Sequence, residues 1–144
     1  MSLGGYAGQI LYVDLGSREI RKEPLDLRMA KKFIGGFGFN CKLAYDLIKP
    51  GIEPLSPENI IVLGAGTLGG TMAPASSRIA ATTKFPETGT VASGNASMTF
   101  APNLKQAGYD NLVISGRSPR PAYLCISDDE VTIRDASHLW GKDL

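Results

Sequence analysis

The chain has 144 residues, a formal net charge of +1, 43% apolar residues and 20% charged residues. Those figures describe one folded domain spanning 1–144 with a core of its own, and they exclude a disordered chain. No basic stripe suits nucleic acid, no run approaches the roughly 18 apolar residues of a membrane helix, and Met1-Ser2-Leu3 opens no signal peptide.

Gln9–Leu15 alternates as a strand should, and Glu19–Glu23 after Gly16-Ser17 completes a hairpin. Asp26 is placed to cap a helix starting near Leu27. Apolar spacing predicts helical pieces over about 27–34 and 39–48. Gly35, Gly36 and Gly38 form a joint between them where another backbone can come close. Lys49-Pro50-Gly51 stops the second piece, and Ser56–Asn59 reads as a turn. Ile60–Leu63 is a buried strand. Ile79–Phe85 and Thr90–Ser93 are strands joined by the Pro86–Gly89 turn. Ser97–Ala107 has helical spacing with Pro102 in its first turn. Asn111–Ser115, Ala122–Ser127 and Glu130–Arg134 are strands, the last two joined at Asp128-Asp129.

Hairpins demand antiparallel pairing, so the fold class is α+β. Each half of the chain has strands and a helical segment, which admits an internal duplication. Cys41 and Cys125, in apolar surroundings 84 positions apart, read as buried free thiols and point to a reducing, cytoplasmic setting.

The stretch Ile60–Thr71, "IIVLGAGTLGGT", has the strand half of a dinucleotide fingerprint. The helix half is missing. A Rossmann loop opens directly into the helix whose N-terminus holds the pyrophosphate. Here Pro74, Ser76 and Ser77 oppose a helix, and a strand follows. The glycines, the hydroxyls of Thr67, Thr71, Ser76 and Ser77, and the fixed cation of Arg78 suit a phosphate-bearing ligand. The same residues also make a tight structural loop beside a surface arginine. Asn95, in Gly94–Ser97, reads either as a helix cap or as a ligand contact at a sheet edge.

Taken together, "GQILYVDLGSREI", "FIGGFGFNCKLAYDLI", "LSPEN", "GTLGGTMAP" and "SSRIAATTKFPETG" follow in order, and then "LKQAGYDNLVISG" and "IRDASHLWG". This pattern resembles the N-terminal domain of the aldehyde ferredoxin oxidoreductase family, tungsten or molybdenum enzymes with a bis-pterin cofactor. The resemblance implies a layered sandwich of two mixed or antiparallel sheets with flanking helices and an internal duplication, forming a base for the pterins. It assigns pterin contacts to Arg78 and Asn95, and gives the Asn95 backbone carbonyl to a Mg²⁺ that bridges the pterin phosphates. Ser97 stands where aldehyde-oxidising members have a glycine that touches the pterin through its backbone.

In full-length members the reaction implied is oxidation of aldehydes to carboxylic acids, with ferredoxin as acceptor. Phe100-Ala101-Pro102 is similar to the branch that reduces aromatic acyl-CoA thioesters, the alternative substrate class. The family's [4Fe–4S] cluster needs four cysteines, which this chain does not have. The expectation is therefore a domain inactive alone, whose partner is the rest of the oxidoreductase polypeptide or a partner subunit, or a second copy. A short non-enzymatic paralogue serving as a binding or scaffold domain is the remaining alternative. His138 reads as a packing or capping residue, Asp128–Glu130 as a turn rather than a metal site, and Met98 and Phe100 as core residues.

Overall fold

The computed structural model describes residues 4–142, so the opening Met1–Leu3 stretch lies outside the described residues. β1 (Gln9–Asp14) and β2 (Ile20–Pro24) form the expected hairpin. Asp14 fixes its turn by accepting the Gly16 and Ser17 amides, each at 2.8 Å. α1 (Leu27–Phe33) starts at Asp26, whose carboxylate accepts the Arg28 amide at 2.8 Å. α2 (Phe37–Leu47) buries Phe39, Asn40, Leu43 and Ala44 along one stripe. β3 (Ile61–Ala65), β4 (Ile79–Lys84) and β5 (Val91–Ala96) follow, then α3 (Phe100–Gln106) and β6 (Asn111–Ser115). β7 (Ala122–Ser127) and β8 (Glu130–Asp135) close the chain as a separate hairpin.

Six strands make one mixed sheet in the order β2-β1-β6-β3-β4-β5, in which only β1–β6 is parallel. On one face α1 and α2 pack Ala30, Phe39 and Leu43 over Ile10, Val62 and Val113. On the other, α3 and the β7–β8 sheet cover Leu11, Val13, Ala65 and Leu112. The architecture is the α+β layering expected, with sheets of six and two strands. The order hairpin, helix, strand occurs twice, as β1-β2-α1-α2-β3 and β4-β5-α3-β6. Exchanging the two sets reverses the strand order of the large sheet onto itself. Direction does not follow, because β1–β6 is parallel and its counterpart β4–β3 is antiparallel.

Several boundaries differ from expectation. β3 runs on through Gly64 and Ala65, and β5 through Gly94, Asn95 and Ala96, because these small residues pair in register with Ala80, Ile79 and Ala81. α3 starts at Phe100 rather than Ser97, since Met98 is at φ 91°. Neither cysteine is buried. Cys41 is exposed beside the buried stripe of α2, and Cys125 is half-buried, both as free thiols. His138 neither packs nor caps, but stands exposed in the turn after β8. No helix of the described residues is long and apolar enough to cross a membrane.

Candidate functional site at the open end of β4 and β5

Three chain segments converge at the C-terminal end of β3. The first is the α1–α2 joint. Gly36 donates its amide to Ala65 O at 3.1 Å, and a Cβ on it would lie 3.3 Å from Gly66 Cα. The glycine joint therefore serves the close backbone approach its sequence implied. Ile34, just before it, is held in a γ-turn at φ 66° and ψ −58°, closed by Gly35 N donating to Phe33 O at 2.7 Å. That conformation is strained for a β-branched residue.

The second is a buried amide network. Asn40, in the first turn of α2, donates Nδ2 to Ala80 O at 2.8 Å, and to Val62 O and Thr82 Oγ1 at 3.1 Å. Its Oδ1 accepts Asn111 Nδ2 at 2.8 Å. Thr82 Oγ1 in turn meets Ser93 Oγ at 2.7 Å. Both asparagines are fully buried. Gly64 makes room for them: a Cβ there would collide with Asn40 Oδ1 and come within 2.7 Å of Asn111 Nδ2 and of Gly36 O. This glycine of the fingerprint is thus a strand residue whose missing side chain seats a polar cluster.

The third is the β4–β5 hairpin, which carries the residues singled out from sequence. Asn95 lies inside β5, opposite Ala80, and not after the strand. It is no helix cap, because the N-cap of α3 is Thr99, which makes no side-chain cap bond. Arg78 precedes β4 by one residue, so alternation puts it on the face of Ala80 and Asn95, diagonal to Asn95 at about 7–8 Å. Ser97 follows β5 at the same end. All three are exposed. Among the described residues Arg78 has neither an ion-pair partner nor a hydrogen bond.

Backbone geometry adds an acceptor. Phe85 N donates to Thr90 O at 2.9 Å, and the register continues from there to Ile79↔Ala96. Antiparallel pairs alternate between hydrogen-bonded and non-hydrogen-bonded positions. Counting from Phe85–Thr90, the Ala80–Asn95 pair is of the second kind. The N–H and C=O of Val91, Ser93 and Asn95 therefore point away from β4, at the open edge of the sheet. The Asn95 carbonyl is left free at that edge, and Arg78 stands at the same end of the hairpin, across β5 from it.

The loop joining β3 to β4 is turned throughout, with no helix at 70–80, so the Rossmann geometry is absent as expected. Its hydroxyls are not all available to a ligand. Thr71 Oγ1 donates to Leu68 O at 2.6 Å, and Ser76 Oγ to Ala73 O at 2.8 Å. Gly5 and Gly35 lie against Thr67, and Gly70 against Pro102 and Lys105. Below the loop, Lys105 Nζ pairs with Asp110 and donates to Gly5 O at 2.7 Å, while Asp110 accepts the Ala7 and Gly8 amides at 3.0 and 2.7 Å. This buried ion pair fastens residues 5–8 to α3 and β6.

Met98 and Phe100 do not enter the core: Met98 is 77% and Phe100 47% exposed. Ile34 and Met72 are likewise exposed apolar residues, at 69% and 101%. Sequence reasoning missed the Asn40–Asn111 and Lys105–Asp110 pairs. A signal existed for the first, since each asparagine interrupts an apolar run, "FGFNCKLA" and "YDNLVIS". Among the described residues no three His, Cys, Asp or Glu side chains gather as a metal site. The arrangement offers a cation, a free carbonyl and apolar flanks, which suit a large anionic ligand accompanied by a hard cation.

Comparison with known proteins bears on this site. Residues 10–144 match the family model described as "Aldehyde ferredoxin oxidoreductase, N-terminal domain". The tungsten-containing aldehyde ferredoxin oxidoreductases of Pyrococcus furiosus and Thermococcus kodakarensis are each 41% identical over 138 residues, 96% of this chain and 23% of theirs. An aliphatic sulfonate oxidoreductase WOR-like subunit of Pyrococcus furiosus is 33% identical over 139 residues, 94% of this chain and 22% of that one. Among solved structures, the active-site complex BamBC of benzoyl coenzyme A reductase with 1,5-dienoyl-CoA superposes at a TM-score of 0.93 with 41% identity, over 96% of this chain and 21% of that one. The chain thus spans less than a quarter of the length of these relatives.

Proposed function

The chain belongs to the aldehyde ferredoxin oxidoreductase family, in which it corresponds to the N-terminal domain, and on that premise we propose that the open end of β4 and β5 is the cradle for a tungsten or molybdenum bis-pterin cofactor. The observation that carries this is the Asn95 carbonyl, free at the sheet edge, at the same end of the hairpin as Arg78, whose guanidinium is unpartnered among the described residues. Arg78 pairs with a phosphate or with the pterin edge through its fork of donors. The Asn95 carbonyl ligates a Mg²⁺ that neutralises the phosphates, as a neutral oxygen suits a hard cation. Ser97 approaches the pterin through its backbone. Strained Ile34 and the exposed Met98 offer apolar side chains that a cofactor or a covering chain would shield from water. The bound group supplies the two-electron chemistry at its metal, and the protein's part is binding, orientation and shielding.

The activity we assign to the whole protein is oxidation of an aldehyde to a carboxylic acid with ferredoxin as acceptor, carried out with the rest of the oxidoreductase polypeptide or a partner subunit. The 144-residue chain alone is inactive on this reading, since two cysteines cannot supply the four thiolates of a [4Fe–4S] cluster. A second reading, an aromatic acyl-CoA reductase, draws its support from the benzoyl coenzyme A reductase complex as a related member of the family. A holoenzyme crystal structure of the full-length protein tests the cradle. A cation about 2.0–2.1 Å from Asn95 O and a phosphate or pterin within hydrogen-bond reach of Arg78 are expected. A cofactor seated away from both residues overturns it.

A further inference from the structure

We propose that in this chain without cofactor the open edge of β5 pairs with β5 of a second copy, antiparallel across a two-fold axis at Ser93, giving one continuous sheet of twelve strands. The large sheet has two edges, β2 and β5, and they differ in kind. β2 carries Arg21, Lys22, Glu23 and Pro24. Charges and a proline with no N–H are the features that keep a sheet edge from pairing with another chain. β5 reads Val91-Ala92-Ser93-Gly94-Asn95-Ala96, with no charge and no proline.

Backbone phase fits a symmetric pair. The outward-facing residues are Val91, Ser93 and Asn95. Hydrogen-bonded pairs of an added antiparallel strand must join outward-facing residues to outward-facing residues. With Ser93 on the axis, Val91 meets Asn95, Ser93 meets Ser93 and Asn95 meets Val91, so all three pairs are in phase. An axis one residue away, at Ala92 or Gly94, brings only two outward-facing residues of β5 into such pairs. Ala92, Gly94 and Ala96 share one face, and Ser93 is already turned to Thr82 at 2.7 Å. Such an interface is closed, the same patch serving both copies.

The pairing uses the Asn95 carbonyl, so a partner strand and a bound cation exclude each other at that atom. The dimer belongs to the cofactor-free chain, and its failure would leave the cofactor reading intact.

The test is sedimentation equilibrium of the 144-residue chain with amide hydrogen exchange on the same sample. A dimer at about 100 µM is expected, with the Val91, Ser93 and Asn95 amides protected as well as the inward-bonded Ala92 and Gly94. Ser93→Lys sets two ammonium groups against each other on the axis and should weaken association about a hundredfold. It should also return the Ser93 and Asn95 amides to fast exchange, with the far-UV circular dichroism unchanged. Val91→Lys serves as the second variant if Ser93→Lys unfolds. Under mild oxidant, Ser93→Cys should cross-link to itself, and Lys22→Cys on the β2 edge should not. A monomeric wild-type chain overturns the proposal, and so does a dimer whose Val91, Ser93 and Asn95 amides exchange freely.

Discussion

Asn111 donates its side-chain amide to Asn40 at 2.8 Å directly above Gly64, and both amides are wholly buried. The contact links β6 to the first turn of α2 and, through Asn40 and Ala80, to the strand pair that carries Asn95. Burial makes such a network costly to leave incomplete. Asn40→Ala should lower the free energy of unfolding by about 1–3 kcal/mol in urea titrations, because it strands the Asn111 amide. Gly64→Ala should cost about 1–3 kcal/mol or more, because its Cβ has no room on the α2 side. A neutral Gly64→Ala would mean the amide pair is loosely held.

The Lys105–Asp110 pair makes a sharper prediction. Asp110 is 1% exposed at its side chain and Lys105 7%. Lys105→Met keeps the length of the side chain and abandons a buried carboxylate, so it should cost about 3–5 kcal/mol. Residues 5–8 should detach first, read as faster exchange of the Ala7 and Gly8 amides. Equal stability of the variant and the wild type would contradict the role given to the pair.

Ile34 points the other way. Its side chain is 69% exposed, so burial holds little of it, while its φ of 66° is unfavourable for a β-branched residue. Ile34→Gly should raise stability by about 1 kcal/mol in thermal melts, although it removes an apolar side chain. A loss of stability would show that Ile34 is held by contacts rather than by the turn.

Asp14 sets a pH dependence. The Ser17 amide first, helped by the Ser115 hydroxyl and the Gly16 amide, holds its carboxyl below the ordinary carboxylate value, against the opposing effect of burial. A carboxylate depressed in the folded state contributes stability above its unfolded value and loses it as pH falls through the folded one. Asp14→Asn should therefore lower the melting temperature at neutral pH, with the difference closing only below the usual carboxylate range. A difference that closes near pH 6 would point to another group.

Much of this was legible in the sequence. Alternation in "QILYVDL", the Asp26 cap and the turn at Asp128-Asp129 are local signals, and the elements formed where those signals lay. The missing helix after Gly70 was readable because Pro74 and a β-branched run leave little choice. Legibility failed where small residues carry pairing. "GNA" has no β-branched residue, yet it extends β5 because β4 lies beside it in register. Seating Asn40 and Asn111 over Gly64 is a tertiary fact, joining residues 71 positions apart. Met98 and Phe100 are apolar yet exposed, and an apolar residue at the surface looks in sequence like one in the core.

The cofactor cradle proposed above puts Arg78 and Asn95 against the bound group at the open end of β4 and β5. The most direct measurement is tungsten or molybdenum content per polypeptide in the full-length protein bearing Arg78→Ala, taken together with its melting temperature after cofactor removal. Arg78 is exposed and makes no side-chain hydrogen bond or ion pair among the described residues, so its loss should leave the melting temperature of the cofactor-free protein within about 1–2 °C, as for other surface substitutions. Metal content should fall several-fold, with partial recovery in Arg78→Lys. Unchanged metal content with a large loss of stability would make Arg78 a structural residue and contradict the site.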